Sequence, residues 1–104
     1  LAERAGRIVV LKDEAHLTFA HYASPDFWEL FYALPVNVQA VARKNYKLLR
    51  KDPFHPSLHF KKVKKPYWSV RAGDGYRAVA LRDSPSEFDW FWIGTHAEYD
   101  QLMR

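Results

Sequence analysis

The chain has no cysteine, one methionine and only four glycines in 104 residues. Without thiols it can form neither a disulfide nor a thiolate metal site, a usage that fits a reducing compartment. Long apolar runs are missing as well. The longest near the start, Ile8-Val-Val-Leu11, is too short for a signal core or a membrane span, so the cytoplasm is the expected location. No P-loop, dinucleotide fingerprint, nucleophile elbow or zinc-spaced motif occurs, which leaves the commonest enzyme classes without support. Internal repeats and low-complexity segments are absent too.

What is present is enough for a core. Apolar residues make up 48% of the chain and aromatic residues 16%, sufficient for one domain that needs no staples. Residues 1–15 show no clear period and read as an arm or tail, leaving 16–104 as a single folded domain. The net charge of +4 conceals a segregation. Residues 43–82 hold twelve Lys/Arg against Asp52 and Asp74, whereas both flanks are acidic. A solvated helix face accounts for Arg43, Lys44, Lys47, Arg50 and Lys51. It accounts less well for Lys61, Lys62, Lys64, Lys65, Arg71, Arg77 and Arg82, which continue the run across strands. A positive field over a sheet favours a polyanion, most commonly nucleic acid.

Leu17 to Tyr22 alternates bulky and small residues and predicts a strand. Ser24-Pro25-Asp26 predicts a helix start, with Phe27, Leu30, Phe31 and Leu34 as its apolar stripe. Pro35 interrupts, and a second helix follows from about Val36 to Arg50, striped by Val38, Val41, Ala42, Tyr46 and Leu49. Asp52-Pro53 ends it. The short connection predicts an antiparallel helical hairpin. Strands are then expected at Leu58–Val63, Trp68–Ala72, Tyr76–Leu81 and Phe88–Ile93, with a tight turn at Gly73-Asp74-Gly75. Thr95 caps a last short helix. The expected class is α+β: an antiparallel four-stranded sheet packed against the N-terminal helical hairpin, with a short C-terminal helix.

Arg71 and Arg77 flank the Gly-Asp-Gly turn on neighbouring strands, where same-face side chains are close. Two guanidiniums there either clamp a phosphate, whose oxygens match their forks, or pair with Asp74, Asp83 or Asp89. His96 follows at the end of the last strand, and histidine, which titrates near neutrality, can exchange a proton during phosphodiester cleavage. Tyr99 lies three residues on, along the same helix face. It either stacks on a base or fixes the helix to the sheet. Arg71, Arg77, His96 and Tyr99 are therefore the candidate catalytic residues, and Lys61, Lys62, Lys64 and Lys65 the candidate RNA-binding residues. No cofactor is expected. His55 and His59 have a helical metal-pair spacing, but Pro53 and Pro56 oppose a helix there.

Four stretches carry a family resemblance: Leu58-His-Phe-Lys-Lys62, Trp68-Ser-Val-Arg71, Gly75-Tyr-Arg77 and Ile93-Gly-Thr-His-Ala-Glu-Tyr99. Over residues 17–104 the pattern resembles the RelE/ParE superfamily, the toxins of type II toxin–antitoxin systems. The Gly-Thr-His end is similar to its YafQ-like RNA-cleaving branch. The resemblance implies a metal-independent, ribosome-dependent mRNA endoribonuclease in which the ribose 2′-hydroxyl attacks the adjacent phosphate. Arg77 would stabilise the pentavalent transition state, Arg71 support the phosphate, and His96 act as general acid or base. Tyr99 would orient the nucleotide or share the proton transfer. A small acidic antitoxin is the implied partner, forming a toxin–antitoxin hetero-oligomer. The sequence departs from the RelE branch proper at Ser69, where lysines are usual, and at His96, where an arginine is. Two other outcomes are a ParE-like gyrase inhibitor without nuclease activity and an inactive nucleic-acid-binding relative.

Overall fold

The computed structural model describes Ile8–Val9 and residues 19–104. Apart from Ile8–Val9, the arm expected at 1–15 lies outside the described residues, as does the start of the strand expected from Leu17. Ile8–Val9 forms β1 and Ala20–Ala23 forms β2. Ser24 then opens α1 (Pro25–Tyr32) as its chemistry implies. Its Oγ accepts the Phe27 N–H at 3.2 Å, Pro25 pre-sets the first helical φ, and Asp26 sits at the positive end of the helix dipole. Phe27, Trp28 and Phe31 are buried, while Leu30 and Tyr32 remain exposed.

Residues 33–35 lead into α2 (Val36–Lys51), whose Pro35 cap offers no side-chain hydrogen bond. Gln39 ties the two helices together at this junction: its amide donates to the Leu34 carbonyl at 2.9 Å and the Tyr32 carbonyl at 3.4 Å, just past and at the end of α1. Of the stripe expected on α2, Ala42 and Leu49 are buried and Tyr46 half-buried. Val41 is 43% exposed, yet it is the side chain that Gly73 accommodates, since a Cβ there would sit 3.4 Å from its Cγ1. After a 3-10 turn at Pro56–Leu58 come β3 (Lys61–Lys64), β4 (Tyr67–Gly73), β5 (Tyr76–Ser84), β6 (Glu87–Thr95) and α3 (His96–Leu102).

The strand order is β1-β2-β6-β5-β4-β3. β2 runs parallel to β6, with Ala20 opposite Glu87 and Ala23 opposite Trp90; every other pair is antiparallel. The expected four-stranded antiparallel sheet is thus corrected in number and in direction. Five strands of four to nine residues form a mixed sheet, extended at one edge by β1. The reason lies in the connections. Tight turns dictate the β3 to β6 meander locally. The neighbour of β2 depends instead on where α1 and α2 carry the chain. They cross the sheet, β3 starts at the far edge, and the meander returns β6 beside β2 pointing the same way.

α1 packs mainly on β6 and α2 on β4. Small residues on the strands (Ala72, Ala78, Ala80) let the helices approach, and rings fill the remaining space: Phe19, Phe27, Phe31, Phe60, Phe88 and Trp90. Burying a ring such as Phe88, which is fully inaccessible, contributes about 1.5–3 kcal/mol. α3 lies on the other side of the sheet. Trp68 and Val70 belong to the core, so strand alternation turns Ser69 the opposite way, where its Oγ accepts the Tyr99 hydroxyl at 3.4 Å. Among the described residues, no helix is long and apolar enough to cross a membrane.

Candidate active site

The β4–β5 turn is the foundation of the site. Asp74-Gly75 makes the reversal, and Gly75 holds φ +77°, a left-handed backbone that glycine adopts without a steric penalty. This turn places Arg71 directly opposite Arg77 in the antiparallel register, so the two side chains leave the same face. β6 lies on the far side of β5, pairing Arg77 with Gly94 and Tyr76 with Thr95. The His96 N–H then donates to the Gly75 carbonyl at 2.8 Å, tying the first residue of α3 to the turn between the arginines.

The result is a solvent-open hollow of about 180 Å³ lined by Arg71, Gly75, Tyr76, Arg77 and His96. Among the described residues, no carboxylate is within ion-pair distance of either guanidinium, so the predicted alternative of pairing with Asp74, Asp83 or Asp89 is not realised. The Nε–H of Arg71 is buried and has no acceptor. A donor left in that state costs about 1–3 kcal/mol unless an oxygen reaches it. A phosphate in the hollow would supply the counter-charge that the two adjacent guanidiniums lack among the described residues.

His96 is held from three sides. Its helix begins in a capping box: the Thr95 Oγ1 accepts the Glu98 N–H at 3.2 Å, and the Glu98 carboxylate accepts the Thr95 N–H at 2.9 Å. The Thr95 N–H and, next, the Thr95 hydroxyl, which donates to the same carboxylate oxygen at 3.0 Å, hold the Glu98 carboxyl below its usual range. The imidazole stacks on the Tyr99 ring, with centroids 5.8 Å apart and planes at 14°. Its Nε2 lies 3.9 Å from the Asp100 carboxylate, an exposed pair. Gly94 is required by this packing. A Cβ there would stand 2.6 Å from the Trp92 ring and 2.8 Å from the Glu98 carboxylate.

Three of the four residues expected to carry chemistry therefore share one hollow, and Tyr99 does not line it. Its hydroxyl is turned to Ser69 and its ring lies between Trp92 and His96, so it positions the imidazole. Lys61, Lys62, Lys64 and Lys65 are exposed on the edge strand β3 and the turn after it, outside the hollow. By register Lys61 faces Ser69 and Lys64 faces Tyr67, on the side of the arginines, whereas Lys62 faces Trp68 on the helix side. Tyr76 is a wall of the hollow that sequence reasoning named only as part of Gly75-Tyr-Arg77. His55 accepts the Ser57 N–H at 3.2 Å within the 3-10 turn that separates it from His59.

Two features elsewhere are structural. An apolar cavity of about 50 Å³ lies between the helices and the sheet. His21, which the sequence did not single out, is fully buried. Its Nδ1 accepts the Trp90 indole N–H at 2.9 Å, its ring stacks near Phe88 and Trp90, and its Nε2 has no partner. Burial, reinforced by the Arg50 charge, lowers its pKa from 6.5 to about 4. It is a neutral core histidine.

Chemically, the hollow presents two guanidiniums and an imidazole to solvent, a set of groups suited to an anion. Comparison with protein-family models, with curated proteins and with solved structures finds no match for this chain.

Proposed function

We propose that this protein is a toxin of the RelE/ParE type, acting as a metal-independent, ribosome-dependent mRNA endoribonuclease in the cytoplasm. The observation that carries the reading is the convergence of Arg71, Arg77 and His96 on one open hollow, with no carboxylate among the described residues neutralising the arginines. The α+β architecture, with two helices on one side of a strand meander and a short helix after it, supports it further.

In this reading the scissile phosphate sits between the two guanidiniums. The ribose 2′-oxygen attacks phosphorus, the 2′-hydroxyl proton leaves, and the P–O5′ bond breaks. The products are a 2′,3′-cyclic phosphate and a 5′-hydroxyl, so one proton is taken up and one is delivered. His96 at the lip performs one of these transfers. Arg77 stabilises the charge that grows on the equatorial oxygens, and Arg71, opposite it in the strand register, holds the phosphate. Tyr99 keeps the imidazole in place. Lys61 and Lys64, on the same sheet face, extend the field along the RNA strand. A small acidic antitoxin that covers the basic face is the expected partner.

The test is expression of wild type and His96→Ala in growing cells, with mapping of transcript ends and of gyrase–DNA complexes. Codon-phased cuts in translated mRNA that vanish in the variant support the proposal. Trapped gyrase without such cuts would replace it with a ParE-like inhibitor. Neither cuts nor growth arrest would reduce the protein to a nucleic-acid-binding relative.

A further inference from the structure

A second basic surface lies on α2 and is separate from the hollow. The sixteen residues of this helix include no carboxylate. Arg43, Lys44, Lys47, Arg50 and Lys51 recur at spacings of three, four, seven and eight and so form one stripe, about 12 Å long at ~1.5 Å rise per residue. Ala42 and Leu49 occupy the buried face, and Asn45 donates to the Arg71 carbonyl at 3.1 Å. The stripe therefore points away from the sheet, on the side opposite α3.

Four of the five cations are exposed, and Arg50 is half-buried. None pairs with a carboxylate among the described residues. The two arginines are anchored through their stems and planes. Arg43 lies 4.9 Å from the Phe31 ring centroid and donates to the Tyr32 hydroxyl at 3.3 Å, and Arg50 lies 5.7 Å from Tyr46. Arg50 and Lys51 suit the negative end of the helix dipole. Arg43, Lys44 and Lys47 stand mid-helix, where like charges three and four apart repel and weaken the helix. A row of cations with no carboxylate partner among the described residues, two of them arginines held against rings and three of them mid-helix, suits an external polyanion.

The form of that polyanion follows from what the stripe omits. Single-strand sites interleave cations with rings on which bases stack. From Lys44 to Lys51 the one ring is Tyr46, half-buried beneath Arg50. The exposed Tyr32 at the Arg43 end has its hydroxyl engaged by that guanidinium, and from Lys44 onward a row of charges without exposed rings on the helix matches the regular phosphate backbone of a duplex. We infer that the α2 stripe docks on the backbone of double-stranded RNA, without base readout and independently of whether the hollow cuts.

The experiment is fluorescence anisotropy with a labelled 20-base-pair RNA duplex across a salt series, with circular dichroism as a check on folding. The proteins are wild type, the exposed triple variant Lys44→Gln/Lys47→Gln/Lys51→Gln, and the hollow variant Arg71→Gln/Arg77→Gln. Wild type is expected to bind with a log–log salt slope of about −4, and the triple variant to lose about three units of it, at roughly one per phosphate contact. The hollow variant keeps wild-type duplex binding even if it has lost cleavage, which separates this surface from the nuclease reading. Equal affinity and slope in wild type and triple variant would overturn the inference. So would loss of binding in the hollow variant, or displacement of the duplex by poly-glutamate at matched charge, which would mark a protein interface instead.

Discussion

Acidification should expose the cost of burying His21. In the folded protein the Trp90 indole N–H donates to Nδ1 at 2.9 Å, so the neutral ring carries its proton on Nε2. Protonation would turn Nδ1 into a donor facing a donor and place a charge among Phe19, Phe88 and Trp90 with Arg50 nearby. The folded pKa is accordingly about 4 against an ordinary 6.5. The sign follows from proton counting. Between these two values the unfolded chain binds the proton and the folded chain does not, so stability is complete above about pH 7 and falls as the pH drops through 6.5 towards 4. A separation of about 2.5 units at about 1.36 kcal/mol per unit gives a loss of about 3 kcal/mol. The assay is urea unfolding of wild type and His21→Gln at pH 7.5, 6, 5 and 4. Glutamine keeps an acceptor for Trp90 but does not titrate. Carboxylate effects at low pH are common to both proteins, so the difference isolates His21. Wild type should lose about 3 kcal/mol more than the variant over this range; parallel profiles would refute the reasoning.

Other expectations rest on separate contacts. Gly94→Ala drives a Cβ into the Trp92 ring and the Glu98 carboxylate, and should destabilise by about 1–3 kcal/mol in thermal unfolding while displacing His96. Thr95→Ala removes the side-chain half of the capping box, at about 1 kcal/mol in chemical denaturation. Because Glu98 is held below its usual range, the part of the cap that depends on its charge should persist above the ordinary carboxylate range and fade on acidification through it. Phe88→Ala, at a fully buried ring, should cost about 3–5 kcal/mol, a large share of a typical total of about 5–15 kcal/mol, and leave little folded protein in a calorimetric scan. Tyr99→Phe keeps the ring under His96 and loses the 3.4 Å bond to Ser69; it should cut RNA with nearly wild-type kcat, whereas Tyr99→Ala should lower kcat with little change in KM.

Local chemistry was legible and long-range pairing was not. Ser24-Pro25, Asp52-Pro53 and Asp74-Gly75 act over four residues or fewer, and each starts or stops its element close to where sequence reasoning placed it; Thr95 caps α3 as expected, but β6 runs through Gly94 to Thr95 instead of ending at Ile93. The parallel pairing of β2 with β6 joins residues about 67 apart in sequence, Ala20 to Glu87, and no local signal specifies it. The hollow was partly legible for the same reason. Arg71 and Arg77 straddle one turn, so their juxtaposition follows from hairpin geometry. The arrival of His96 depends on the Gly75 carbonyl bond between the β4–β5 turn and the start of α3. Tyr99 was read with His96 by helical spacing, which is correct for stacking; that its hydroxyl turns to Ser69 depends on which side of the sheet α3 takes. His21 carried no signal, because a histidine between Ala20 and Tyr22 is buried only by virtue of the β2–β6 pairing.

Single-turnover cleavage of a defined mRNA on programmed, translating ribosomes tests the central claim most directly, using wild type, Arg77→Ala and His96→Ala with end analysis of the products. The account predicts 2′,3′-cyclic phosphate ends from wild type, a roughly 10²–10³-fold slower rate for Arg77→Ala, and for His96→Ala a similar loss together with a changed pH–rate profile. Cleavage by Arg77→Ala at the wild-type rate, or a folded wild type that leaves the ribosome-bound message intact, would contradict it.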